Sequence, residues 1–315
     1  MFTIRRTASL ALILAPALLP GHGSAQTSKD GERFEFTSYV AVEEYFDELG
    51  YTRDTWMAGD RSVPRLFLTH VPERWRDKFA KEVTVQSKKR IFFRVLAPLV
   101  LRSNELVLQD RKRLVELSKR KERGQKLSTD DEAWLAGVAR SYKVIDEKTA
   151  APGATQMAEL MRRVDMVPVS LALSQAAEES GWGTSRFADA GNSLFGQWSW
   201  GSDAIKPEQQ REGMGNYGLA AFETPLASVI AYMKNLNAHA AYERLRAARA
   251  KLREQETIVT GNALVPALDR YSERGEEYVK SLQAIIRVNK LAPADSTYLR
   301  DMMPVYLVPV GEQSE

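Results

Sequence analysis

No cysteine occurs among the 315 residues, which excludes disulfide support, a cysteine nucleophile and a lipid carried on cysteine. Histidine is nearly as scarce, with three in the chain. Only His70 and His239 lie beyond the first 25 residues, fewer than the three or four ligands that a zinc site uses. No metal and no other cofactor is expected. Ser180, Ser185 and Ser193 sit in no G-x-S-x-G elbow, so a serine hydrolase has no support. A formal net charge of +3 leaves no nucleic-acid footprint. Long apolar runs are missing too. The stretch Leu10 to Leu19 is broken by Pro16 and followed by Pro20, short of the ~20 apolar residues that span a membrane.

That same stretch follows Arg5-Arg6 and ends in Gly23-Ser24-Ala25, the pattern of a secretory signal. Residues 1–25 are therefore expected to be a signal peptide cut after Ala25. Export to the periplasm or cell envelope follows, and the loss of two arginines lowers the formal charge by two. Residues 26–150 read as a helical N-terminal extension. Its clearest element runs from Ile91 to Leu117, with Phe92, Leu96, Leu99, Val100, Leu106, Leu114 and Leu117 as apolar positions and Pro98 expected to kink or reset it. Asn104, Glu105 and Gln109 interrupt the apolar positions, and structural hydrogen bonding is the expected role. Thr129 and Glu132 suit a capping box. The linker Ala150-Ala151-Pro152-Gly153-Ala154 sets off a second domain at 151–292. Within it, Thr224-Pro225 starts a helix carrying Leu226, Val229, Ile230, Met233 and Leu236. An extended tail covers 293–315.

With these chemistries excluded, the 41 carboxylates are the source of acid/base groups. The stretch Val167 to Gly183 begins with Pro168 and stops at glycine, as a short Ala-rich helix would. Spacings of three, four and seven put Ala172, Gln175, Ala176 and Glu179 on one face, while Glu178 is turned about 100° away. Glu179 thus faces small apolar neighbours in the last helical turn, where desolvation and the unpaired carbonyls both favour its protonated form. A protonated glutamate near neutral pH is what glycosidic cleavage asks of its general acid. Taken alone, such a pair is more often a surface Glu-Glu pair closing a helix.

The run Gln175-Ala-Ala-Glu-Glu179-Ser-Gly-Trp-Gly183, followed by Asn192-Ser-Leu-Phe-Gly196, resembles the signature of glycoside hydrolase family 73 glucosaminidases. In that signature the glutamate before Ser-Gly-Trp-Gly is the general acid. The likeness continues through Phe222 to Ser228, Tyr232, Asn235 to Asn237, Tyr242 and Tyr271 to Tyr278. The extension, with Val63 to Leu68 and Lys89 to Phe93, looks like that of Bax-like bacterial envelope proteins. The resemblance implies a mainly α, α+β architecture: a lysozyme-like helical domain with a small irregular β-lobe, preceded by the helical extension.

It also implies an endo-β-N-acetylglucosaminidase acting on peptidoglycan glycan strands, and a monomer is expected. A lytic transglycosylase or muramidase on the same fold, or a non-catalytic glycan-binding scaffold, stays open as an alternative. Trp182, Trp198, Trp200 and Tyr217 are candidate sugar-stacking residues, since aromatic faces match the C–H faces of sugar rings. Phe195 reads as core. Asn192 matches the first asparagine of the family loop, whereas Ser193 stands where a second is usual. In some relatives a β-lobe carboxylate acts as base, and in others the substrate acetamido group assists. Asp203, Glu208 and Glu212 are the candidates here, with Glu212 preferred. Tyr271 matches a family tyrosine facing the cleft, placed to orient the acetamido group or stabilise charge.

Overall fold

The computed structural model describes residues 31–72, 75, 81, 83–207 and 217–310. The expected signal peptide and cleavage point, Glu208 and Glu212 lie outside them. In chain order the helices are α1 (Tyr39–Glu48), α2 (Arg53–Met57), α3 (Val85–Glu122), α4 (Thr129–Ser141), α5 (Ala154–Arg163), α6 (Val169–Ser180), α7 (Arg186–Gly191), α8 (Pro225–Ala238), α9 (Glu243–Glu254), α10 (Gly261–Leu264) and α11 (Glu276–Val288). The strands are β1 (Glu32–Phe36), β2 (Ser62–Val63), β3 (Leu66–Leu68), β4 (Trp198–Ser199), β5 (Gly218–Leu219), β6 (Tyr298–Leu299) and β7 (Val305–Pro309). The fold is mainly α with a small β part.

Helix α3 organises the molecule. Its 38 residues extend roughly 57 Å at 1.5 Å per residue, and Pro98 lies inside it without ending it. The element is longer at both ends than the apolar periodicity from Ile91 to Leu117 suggests, because Thr84 caps its start by accepting from Ser87 N and Lys119, Arg120 and Lys121 suit its negative C-terminal end. Its first half carries Leu96, Leu99 and Val100 into one core with Leu171, Ala176, Tyr232 and Leu282. Its second half adds Leu114 and Leu117 to another core with Leu135 and Val138 of α4 and Leu160 of α5. The extension and the second domain therefore share a packed interior. Among the described residues no helix is long and apolar enough to cross a membrane, since α3 is too rich in charge.

The strands join the first and last described segments. Strand β7 runs between β1 and β3, parallel to both, and β2 pairs in parallel with β6. Leu66, Leu68, Val305 and Leu307 cover Phe46 of α1 in a third core. Before these strands the chain turns through a 3₁₀ segment, Ala292–Ser296, so the stretch after Pro293 is not uniformly extended. An apolar cavity lies between α1, α3 and this sheet, lined among others by Phe36, Val42, Leu96 and Leu307. Among the described residues no carboxylate lines it, and Glu179 lies elsewhere. The cap of α4 is Ser128, which accepts from Asp131 N. The helix therefore starts one residue earlier than expected: Ser128 caps it with a single bond, and Thr129 is its first residue, so no capping box forms with Glu132.

Candidate active site

Helix α6 is fixed before it presents anything. The connection Val164 to Val167 leading into it is buried apart from the partly buried Met166, so its backbone polar groups need partners inside the protein. Asn104 of α3 accepts from Val167 N at 3.0 Å and donates to Val167 O at 2.8 Å, which gives Asn104 the structural role expected of it. Arg249, itself buried, donates to Asp165 O, Met166 O and Arg162 O. At the helix start, Asp295 accepts from Ser170 N, Ser170 Oγ and Gly261 N, each at 2.8 Å. At its end, Ser180 Oγ donates to Ala176 O and accepts from Gly183 N. Gly181, Trp182 and Gly183 follow with φ of 57°, 63° and 76°. Glycine adopts such angles freely and tryptophan does so only under constraint. The Ser-Gly-Trp-Gly sequence is a tight reversal that ends the helix just past Glu179.

Along α6 only Glu178 and Glu179 are not fully buried. Glu179 Oε1 accepts from Tyr278 Oη at 2.7 Å. Tyr278 Oη accepts from Gln175 Nε2 at 2.9 Å, and Gln175 Oε1 accepts from Tyr232 Oη at 2.6 Å. The other oxygen, Oε2, is turned toward Gly196, where a Cβ would lie 3.6 Å from it. Gly196 has a φ of +62°, so glycine both permits this turn and leaves the space open. Burial is the main force on Glu179 and pushes its pKa up to about 8. The Tyr278 hydrogen bond opposes it, Glu178 adds to the rise and Arg274 offsets part of it. Burial also keeps Tyr232, Tyr271 and Tyr278 well above the ordinary phenol range, so all three stay protonated donors.

The other expected residues are placed as follows. Glu178 is not a free surface group: Arg274 Nη1 and Ser281 Oγ donate to it at 2.6 and 2.8 Å. Tyr271 is buried, stacks on Tyr278 with centroids 5.4 Å apart, and reaches Phe195 O at 3.4 Å; it does not touch Glu179. Phe195 is core, stacked on Tyr232. Trp182 packs edge-on against Phe92 and Phe93 of α3 under Lys89, so it joins the extension to the reversal. Trp198 is 3% exposed and stacked on the buried Tyr217, whereas Trp200 is 41% exposed. Of the three rings beside β4 and β5, Trp200 is therefore the exposed one. Asn192 is buried and joins loops: its Oδ1 accepts from Val71 N and its Nδ2 donates to Phe222 O. Asp203 is exposed at the hairpin. Among the described residues no three His, Asp or Glu side chains gather as a metal site would require.

A buried, protonated carboxyl with one oxygen held and the other open is suited to donate a proton. Residues 154–291 match the Glucosaminidase family, described as mannosyl-glycoprotein endo-beta-N-acetylglucosaminidase. Over 205 residues the chain is 33% identical to Protein bax of Escherichia coli (strain K12), covering 64% of this chain and 70% of that one. The chain belongs to this glucosaminidase family. No solved structure matches it.

Within the glucosaminidase domain, the site residues that sequence reasoning left unassigned are Gln175, Tyr232, Arg274 and Tyr278. Gln175 had a signal, since it shares the Glu179 face one turn earlier. Tyr278 lies 99 positions from Glu179 and meets it only because α11 packs on α6. No local spacing announces that contact.

Proposed function

We propose that this glucosaminidase-family protein is a peptidoglycan hydrolase of the envelope. It cleaves the bond from N-acetylglucosamine to N-acetylmuramic acid as an endo-β-N-acetylglucosaminidase, with Glu179 as general acid. The observation that carries this reading is the state of Glu179, protonated up to about pH 8 with Oε2 beside Gly196. A leaving sugar oxygen is a poor leaving group until it gains a proton, and a carboxylic acid still protonated at neutral pH supplies one. Trp200 offers the exposed ring against which a sugar stacks. Buried Trp198 lies beside that ring and is itself stacked on buried Tyr217, and Tyr271 donates to the Phe195 carbonyl next to Gly196. We assign the base to Glu212; the substrate acetamido group is the other route.

Product analysis on purified peptidoglycan tests the reading. New reducing N-acetylglucosamine ends are expected. Reducing muramic ends would make the protein a muramidase, anhydromuramic ends a transglycosylase, and no release a scaffold. Glu212→Gln separates the two routes to the second step: lost turnover assigns the base to Glu212, and retained turnover assigns the step to the acetamido group.

A further inference from the structure

The hydrogen bonds leading to Glu179 have a direction. Tyr232 Oη donates to Gln175 Oε1 at 2.6 Å, which leaves the amide nitrogen to face Tyr278. An amide nitrogen donates and never accepts, so Tyr278 Oη must accept from Gln175 Nε2. Its own proton is then left for Glu179 Oε1 at 2.7 Å. The carbonyl oxygen of a protonated carboxyl accepts better than its hydroxyl oxygen, so the Tyr278 donation to Oε1 favours the Glu179 proton on Oε2. Gln175 is fully buried, so bulk solvent does not compete for its amide. Tyr232 is held by stacking on Phe195, centroids 3.8 Å apart, and Tyr278 by stacking on Tyr271.

We propose that Gln175, oriented by Tyr232, is a positioning residue that commits the Tyr278 hydroxyl to donating and so places the acid proton of Glu179 on Oε2, the oxygen that faces Gly196. The inference rests on Glu179 being the general acid. Were the amide reversed, Tyr278 would donate to Gln175 Oε1 and accept from a proton on Glu179 Oε1. The acid would then hold its proton on the oxygen turned toward the phenols, away from Gly196. Other groups facing Glu179 set its titration but not this direction: Glu178 from the same helix, Arg274 from the segment before α11, and the phenols Tyr242 and Tyr271.

Gln175→Glu is the direct test, because a carboxyl of the same shape accepts from both tyrosines and reverses the order. Tyr232→Phe is the milder one, removing the donor that orients the amide while keeping the ring stack. For both, kcat on purified glycan is expected to fall with KM nearly unchanged, by about tenfold or more for Gln175→Glu, a fraction of what a general acid contributes. The alkaline limb of the pH profile is expected to move upward in both, since the ionised form of Glu179 loses the donor that favours it. A purely structural role would lower the melting temperature while leaving kcat and the alkaline limb in place, and that result overturns the proposal. If Gln175→Glu does not fold, Tyr232→Phe decides by the same two readouts. Glu179→Gln is measured alongside. Release retained by Glu179→Gln removes the general-acid reading and this inference with it. An inactive Glu179→Gln beside Gln175 and Tyr232 variants of wild-type kcat and pH profile removes this inference alone.

Discussion

Ionising Glu179 works against the fold, because the carboxylate form lies among phenols and apolar side chains. Its folded pKa is raised from 4.5 to about 8, so between those values the folded protein keeps a proton that the unfolded chain has released. Stability therefore declines as pH rises through that window, by up to about 1.4 kcal/mol per pH unit from this group. Glu179→Gln cannot ionise, and its amide oxygen still accepts from Tyr278. We expect it to lose glycan release by ~10²–10⁴-fold yet to melt higher than wild type at pH 8 and no higher at pH 4. Differential scanning calorimetry at the two pH values checks this, and a lower melting temperature at pH 8 would contradict it. Glu178→Gln has a different expected outcome. Removing that charge takes away the repulsion that raises the Glu179 pKa and leaves Arg274, which lowers it, without its partner. The alkaline limb of activity should then shift downward with little loss at acidic pH. The face that Glu179 shares with Ala172 and Ala176 is legible in the sequence because helical spacing is local. The ties of Glu178 to Arg274 and Ser281 are not, since they cross about a hundred residues.

At the level of elements, α6 is a short helix held at both ends by parts of the chain outside it. Its boundaries are readable from Pro168 and Gly181, because proline and glycine act through their own backbone preferences. Its tethers are not readable, because Asn104 and Asp295 lie 63 and 125 residues from their partners. Short strands such as β2 and β6 carry too few residues for an alternating pattern, and their pairing joins sequence-distant segments. Asp295 tests how much the tether matters. Burial raises its pKa although three hydrogen bonds favour the carboxylate, so its position is maintained by the bonds it receives. Asp295→Ala leaves the N–H groups of Ser170 and Gly261 without that acceptor. A loss of about 1–3 kcal/mol is expected, measured by urea unfolding at pH 7. A loss below a few tenths of a kcal/mol would mean that water replaces the aspartate and that α6 does not depend on the tail.

Among the described residues, β6 places Leu299 in the core that holds Leu171 and Tyr278, and the β1-β7-β3 sheet builds its own core beside it. Strand β7 is the centre of the β1-β7-β3 sheet, and α3 runs from the core that contains Leu171 and Tyr278 to the core under α4 and α5. The packing predicts one cooperative unit, in which damage at the sheet is felt at Glu179. Leu307 is the probe. It is fully buried in the sheet core and lies outside the hydrogen-bonded chain from Tyr232 to Glu179. Leu307→Ala should cost about 2–5 kcal/mol through lost burial and the cavity left behind. If the molecule unfolds as one unit, the temperature at which glycan release is lost falls together with the melting of helix followed by circular dichroism. The two curves stay superimposed, as for a transition without populated intermediates. Should the sheet melt separately, the variant would show an early partial loss of circular dichroism while release persists to the wild-type temperature. In that outcome the extension and tail would be an accessory layer and the glucosaminidase domain would stand by itself. With the first outcome, the tethers at Asn104 and Asp295 are the route by which the rest of the chain keeps Glu179 in place.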